Sequence, residues 1–385
     1  MRHATHNRRS CVSLNDSYSG QMTVESLIEY AARIRELRRA GPTNLEQALA
    51  PEFQRLLGAL LPSIWAKPLI IVPEFATPGV GRPDLALKRA GQPSRAFIEL
   101  KSPTKPENPD DYRDPHDRRQ FERFKSMPVW AISNFSSLRV YHREDLIRSI
   151  EIVPQAALKP ETADAKAERL IRDADINELL DAIRPLALAD PPYAKDASEL
   201  ASNLAHAARL VRGIVEDRLA ELAQQKITDA PILEVRDTFR EVLYAHPQAA
   251  GYSVSHFDTL FAAAFAQTLA FGLLLVRESL EHPKTDQAGK PVARTETEKQ
   301  VGRNAWEHMP EEHALMRTTL RVLSMEEIVH DVGAGFDVML DTVNSFDAAI
   351  LARETGKPDP ILYFYEDFLE VFDPAARERY GVYYT

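Results

Sequence analysis

Cysteine is nearly missing from this chain: Cys11 is the only one in 385 residues. A single thiol excludes an intramolecular disulfide framework and any cysteine-rich zinc site, and it fits a reducing, cytoplasmic setting. Glycine is scarce as well, at 15 residues, while 44% of positions are apolar and 27% charged. That balance excludes the fibrous and disordered classes and leaves a globular protein. Long apolar runs are also missing. The closest, TLFAAAFAQTLAFGLLLV from Thr259 to Val276, is interrupted by Gln267 and flanked by charges, so it reads as a buried helix and no membrane partner is expected. The first 21 residues are basic and polar, lack the apolar stretch of a secretory signal, and are expected to form a flexible arm. No Gly-x-x-x-x-Gly-Lys-Ser/Thr loop occurs, which excludes a P-loop nucleotide motor.

The net charge of −10 argues against binding nucleic acid over the whole surface. The segment Gly81–Arg148 runs against that trend: it carries 14 Lys and Arg against 10 Asp and Glu, a surplus of +4 that leaves −14 for the rest. A phosphate-facing surface is expected there.

Length alone suggests two or three domains of about 150 residues. From Met22 to Ala40, Val24, Leu27, Ile28, Ala31, Ile34 and Leu37 recur at helical spacing. Gly41 and Pro42 end that helix, and a second follows from Thr43, with Thr43 and Glu46 at capping-box spacing. Short apolar runs then replace the helical period: LIIVPEF (69–75), DLALK (84–88) and AFIELK (96–101) read as adjacent strands, the last two joined by a tight turn at Gly91 and Pro93. A Pro-rich loop, the helix HDRRQFERFKSM, and the strand pair VWAISNF and LRVYH complete an α/β domain over 22–155. Beyond Pro154 helical periodicity dominates, apart from a polar loop over 281–304, so 156–372 reads as an all-α helical connector.

Chemistry concentrates in GRPDLALKRAGQPSRAFIELK, from Gly81 to Lys101. Strand side chains alternate, so Glu99 and Lys101 share one face while Ile98 and Leu100 take the other. A tight turn brings Asp84 beside Glu99. Two adjacent carboxylates repel unless a cation separates them, and a hard, oxygen-rich site suits Mg²⁺. Phosphodiester hydrolysis uses such a set, with a lysine to orient water or offset developing charge. The alternative is a strand with a surface ion pair worth about 0–1 kcal/mol.

Glu46, then Pro83-Asp84, then Glu99-Leu100-Lys101, in the order helix, strand, strand, helix, strand, resembles the PD-(D/E)xK nuclease superfamily. The resemblance implies Asp84 and Glu99 as metal ligands, the Leu100 carbonyl as a backbone ligand, Lys101 as the water-orienting residue and Glu46 as an additional catalytic acid. Glu46 can equally be the capping partner of Thr43, and Glu52 is its rival. Gln120 with Phe124 is similar to a downstream Gln-x-x-x-Tyr element, with Phe in place of Tyr; Gln120 and Arg82 are the implied DNA contacts.

The stretch FYEDFLEVFDPAARERYGVYYT resembles the entry to an adenine-N6 DNA methyltransferase domain in fused restriction-modification enzymes. Gly381, Tyr383, Tyr384 and Thr385 match the element that helps hold S-adenosylmethionine, so 373–385 reads as the start of a methyltransferase domain that continues beyond residue 385. On this reading residues 22–155 are an Mg²⁺-dependent endonuclease module that cuts double-stranded DNA. Sequence choice and methylation would lie in further domains of the same chain. A catalytically inactive DNA-binding or docking scaffold is the alternative, motivated by the acidic net charge and by Phe124. DPPY, from Asp190 to Tyr193, matches a methyltransferase tetrapeptide but lacks a flanking sheet or Gly-rich turn, and reads as a loop between helices.

Overall fold

The computed structural model describes residues 14–65, 67–73, 83–90, 92, 94–172, 176–190, 192–244, 254–285, 290–347, 350 and 360–375. Two helices open the chain, α1 (Leu14–Ala40) and α2 (Leu45–Ile64). Helix α1 starts within the stretch expected to be a flexible arm, because the amphipathic turns after Val24 supply a nucleus from which the helix extends backwards. Helix α2 is capped by Asn44, whose side chain accepts from Gln47 N–H. The Thr43–Glu46 capping box therefore does not form, and Glu46 is left free for another partner.

Six strands follow: β1 (Leu69–Pro73), β2 (Leu85–Arg89), β3 (Ser94–Leu100), β4 (Val129–Ser133), β5 (Ser137–His142) and β6 (Asp145–Glu151). They form one sheet in sequence order. Every neighbouring pair is antiparallel except β3–β4, which runs parallel. That parallel step needs a crossover, supplied by the Pro-rich loop and α3 (Pro115–Phe124). The sequence pattern did not show β6. Most of its residues are solvent-exposed, as suits an edge strand, with Ile147 and Ile150 packed partly against the core.

Strand alternation sends two sets of side chains to two cores. Leu85, Leu87, Ile98, Leu100 and Val140 face α1, α2, α4 (Asp164–Arg172) and α5 (Ile176–Ala187). Helices α4 and α5 were expected to begin the connector at residue 156, but their apolar faces complete this core. By packing, the change of partner falls near residue 190. The opposite face presents Ala86, Phe97, Trp130 and Tyr141 to α3 and to the later helices. Trp130 stacks on Tyr141 at 4.4 Å between ring centroids and lies edge-on to Phe121 at 5.7 Å. Truncating a fully buried aromatic of this kind costs about 3–5 kcal/mol.

The helical unit comprises α6 (Ala197–Gln225), α7 (Pro231–Tyr244), α8 (Val254–Glu281), α9 (Ala314–Leu323), α10 (Glu326–Asn344) and α11 (Pro360–Phe372). A short ribbon of β7 (Lys284–Thr285) and β8 (Pro291–Val292) interrupts the expected 281–304 loop. By length and composition α8 could cross a membrane, yet 56% of its most apolar window is buried. It packs on α6, α9 and α10 as an internal helix. The result is a mixed six-stranded α/β unit followed by helices.

Candidate active site

Register explains how Asp84 reaches Glu99. Leu85 pairs with Ile98 across β2 and β3, so one residue further out Asp84 stands opposite Glu99 on the same face. There the Asp84 carboxylate accepts a 2.6 Å hydrogen bond from Leu100 N–H. In an extended strand a residue's N–H and C=O point to the same edge, so the Leu100 carbonyl faces the Asp84 side. The Lys101 backbone turns the other way, donating to Ser133 O of β4 at 2.8 Å.

Glu99 and Lys101 are buried, at 4% and 6% exposure. Lys101 Nζ donates to Glu99 Oε1 at 2.8 Å and to Gln120 Oε1 at 2.6 Å, and stands 3.4 Å from Asp117 Oδ1. The other Asp117 oxygen pairs with Lys105 from the Pro-rich loop. Gln120 and Asp117 come from α3, where Asp117, Gln120, Phe121 and Phe124 are the buried positions. They repeat at i, i+3, i+4 and i+7, so two polar residues occupy an apolar stripe. Glu46 completes the group: it accepts from the Ser102 backbone and feels the charges of Lys101, Asp117 and Lys105. Its rival Glu52 pairs instead with Arg55.

Four carboxylates thus surround two ammonium groups, and the imbalance is felt most where burial is deepest. Desolvation pushes the Asp84 carboxyl up to about 6, although Leu100 N–H opposes the shift. Burial and the Asp84 charge hold Glu99 well above the usual carboxylate range. Glu46 is raised too, mainly by burial. Desolvation works against the Lys101 charge, but Glu99, Asp117 and Glu46 outweigh it and keep the ammonium protonated. Asp117 goes the other way: Lys105 and Lys101 overcome its burial and lower it.

One atom in this network is left over. Glu99 Oε2 is buried and has no hydrogen-bond partner. An uncompensated carboxylate oxygen is costly, and a divalent cation between Asp84 and Glu99 would compensate it. Among the described residues no three His, Cys, Asp or Glu side chains form a ready metal cage. Two carboxylates and a backbone carbonyl nonetheless fit Mg²⁺, which keeps several of its waters.

The structure brings together Glu46, Asp84, Glu99, Leu100, Lys101 and Gln120 from the expected set. Gln120 does not face outward to DNA; its carbonyl is spent on Lys101. Phe124, taken as the counterpart of a tyrosine, packs on Trp130 at 5.6 Å in the core. Arg82, Gly381, Tyr383, Tyr384 and Thr385 lie outside the described residues, as do Gly91 and Pro93. Asp117 and Lys105 were not anticipated; the polar pair Asp117 and Gln120 on the inward stripe of α3 was the available signal. Of DPPY, Asp190, Pro192 and Tyr193 stand in the non-helical stretch before α6, with Asp190 bound to Arg89 at 3.3 Å, and Pro191 lies outside the described residues.

The architecture defines the chain as an α/β protein with a mixed six-stranded sheet and an appended helical unit. No family model matches its sequence, and none of the curated proteins does. Among solved structures it is similar to the cryoEM structure of a DrdV–DNA complex, at 15% sequence identity and a TM-score of 0.30, over 94% of this chain and 30% of that one. This chain thus spans less than a third of that protein's length.

Proposed function

We propose that the Asp84–Glu99–Lys101 cluster is the catalytic site of an Mg²⁺-dependent DNA endonuclease. The observation that carries this reading is the buried, unpartnered Glu99 Oε2 beside Asp84, two carboxylates arranged for a cation between them. DNA as the substrate rests on the Pro83-Asp84…Glu99-x-Lys101 pattern, borne on adjacent strands with Gln120 on the following helix.

Asp84, Glu99 and the Leu100 carbonyl would hold Mg²⁺, which when bound polarises a phosphodiester and acidifies water. Lys101 stays an ammonium, so it acts by charge and hydrogen bonding and does not take the proton. Gln120 and Asp117 fix the position of Nζ, and Glu46 at the rim is the acceptor available for a proton from water. Methylation with S-adenosylmethionine and choice of sequence belong, in this reading, to domains beyond residue 385.

The test is conversion of supercoiled plasmid with Mg²⁺, together with the melting temperature with and without the metal. Cleavage lost in Asp84→Ala, along with the metal-induced rise in melting temperature, is the expected result. Undiminished cutting by that variant would sink the reading. Phe124, which packs on Trp130 in the core and offers no hydroxyl to a nucleic acid, favours a second reading, a scaffold that binds DNA without cutting it. Mg²⁺-independent DNA binding with no cleavage would establish that one.

A further inference from the structure

Helix α3 serves two neighbours. Asp117 and Gln120 hold Lys101. Further along, Arg123 reaches the helical unit, where its guanidinium pairs with Asp217 of α6. On the way it crosses Gly213: a Cβ there would lie 2.9 Å from Arg123 Nε and 3.1 Å from Cδ. Glycine inside a helix costs about 0.5–1 kcal/mol relative to alanine, and the passage of Arg123 accounts for it at this point of α6. The Arg123 side chain is 8% exposed, and its Nη1 is buried without a hydrogen-bond partner. Asp217 is its one ion-pair partner within 4 Å among the described residues, and the neighbouring Glu216 also feels its charge.

The same one-sidedness holds along the junction. Arg89 pairs with Asp190, Arg95 with Asp341 of α10, and Arg143 with Asn203 of α6. Among these described pairs every cation belongs to the α/β unit and every acceptor to the helical unit or the loop entering it. Such a junction seats the two units by charge, in a defined orientation.

We propose that α3 carries the seating of the helical unit to Lys101. Helix α6, through Asp217 and Gly213, fixes Arg123, and the helix transmits that position about 9 Å along its axis to Asp117. The inference rests on the nuclease reading of the Lys101 cluster. Arg123, Asp217 and Gly213 are positioning residues; none of them touches the reacting atoms.

The experiment uses the full chain and the variants Asp217→Asn, Gly213→Ala and, for rescue, Asp217→Glu. Two quantities are read. One is acylation of Lys101 by an amine-reactive acetyl ester, followed by peptide mass spectrometry with exposed Lys159 as internal reference. The other is the plasmid cleavage rate at saturating and subsaturating DNA. Asp217→Asn and Gly213→Ala are expected to raise Lys101 labelling and lower kcat by about 2- to 30-fold, with KM unchanged and Asp217→Glu restoring both; Asp217→Asn, which strands a buried guanidinium, also lowers the melting temperature, whereas Gly213→Ala keeps the ion pair. Should Asp217→Asn fail to fold, Gly213→Ala decides, since alanine favours the helix. Wild-type labelling of Lys101 in the variants overturns the coupling and leaves the nuclease reading standing if the wild type cuts. Labelling that responds in a protein that never cuts DNA keeps the coupling and removes the nuclease reading.

Discussion

Strand β3 carries two ion pairs on one face, and they differ in what they leave unsatisfied. At its start Arg95 grips Asp341 with Nε and one Nη, at 3.0–3.3 Å, and gives its remaining Nη1 to Gln92. Neither residue has a buried polar atom without a partner. At its end Glu99 binds Lys101 through one oxygen and leaves the other buried and alone. The Glu99–Lys101 pair is buried and the Arg95–Asp341 pair largely so, so burial alone does not mark a site. The pair that closes on itself holds two units together, whereas the other leaves a carboxylate oxygen without a partner.

Mutation should separate these roles. The largest effect is expected from Lys101→Met, which keeps the bulk of the side chain and removes its charge: plasmid cleavage should fall by about 1,000-fold, roughly 4 kcal/mol of barrier. Asp341→Ala strands Arg95 and should cost about 3–5 kcal/mol of stability, read by urea unfolding. At temperatures where the variant remains folded, its metal-induced rise in melting temperature should survive.

Asp84→Asn should do the reverse of Asp341→Ala. The Asp84 carboxyl is raised from an ordinary 3.8 to about 6 in the fold. Its contribution to stability is therefore full below pH 3.8 and is lost as pH rises through about 6. Without metal, the asparagine variant should melt higher at pH 8, by at most about 3 kcal/mol, with the gain vanishing at pH 4 and cleavage abolished. A variant no more stable than wild type at pH 8 would show that Asp84 is not held against its charge. The smallest expected effect is that of Glu52→Gln, which removes a surface pair worth less than about 1 kcal/mol and should leave cleavage unchanged, while Glu46→Gln should slow it.

Much of the site was legible because it is local. Strand alternation put Glu99 and Lys101 on one face, and the short connection between β2 and β3 put Asp84 across from Glu99. What stayed hidden depends on packing between distant segments. Helices α4 and α5 carry the same amphipathic signature whether they cover a sheet or a bundle, so the boundary at 155 missed them. Gln120 read as an outward contact, since its binding to Lys101 becomes visible only once α3 lies on the sheet. The cap of α2 moved from Thr43 to Asn44 because both residue types cap well, and that one-residue change freed Glu46 for the site.

The Arg95–Asp341 pair spans 246 residues of chain. The contacts of Lys101 with Glu99 and Gln120 span 2 and 19. At a synthesis rate of about 5–20 residues per second, Asp341 emerges roughly 12–50 s after Arg95. The carboxylates and the lysine can therefore meet on a nascent chain well before α10 has been made, and the α/β unit is the part of this molecule that can fold while translation continues.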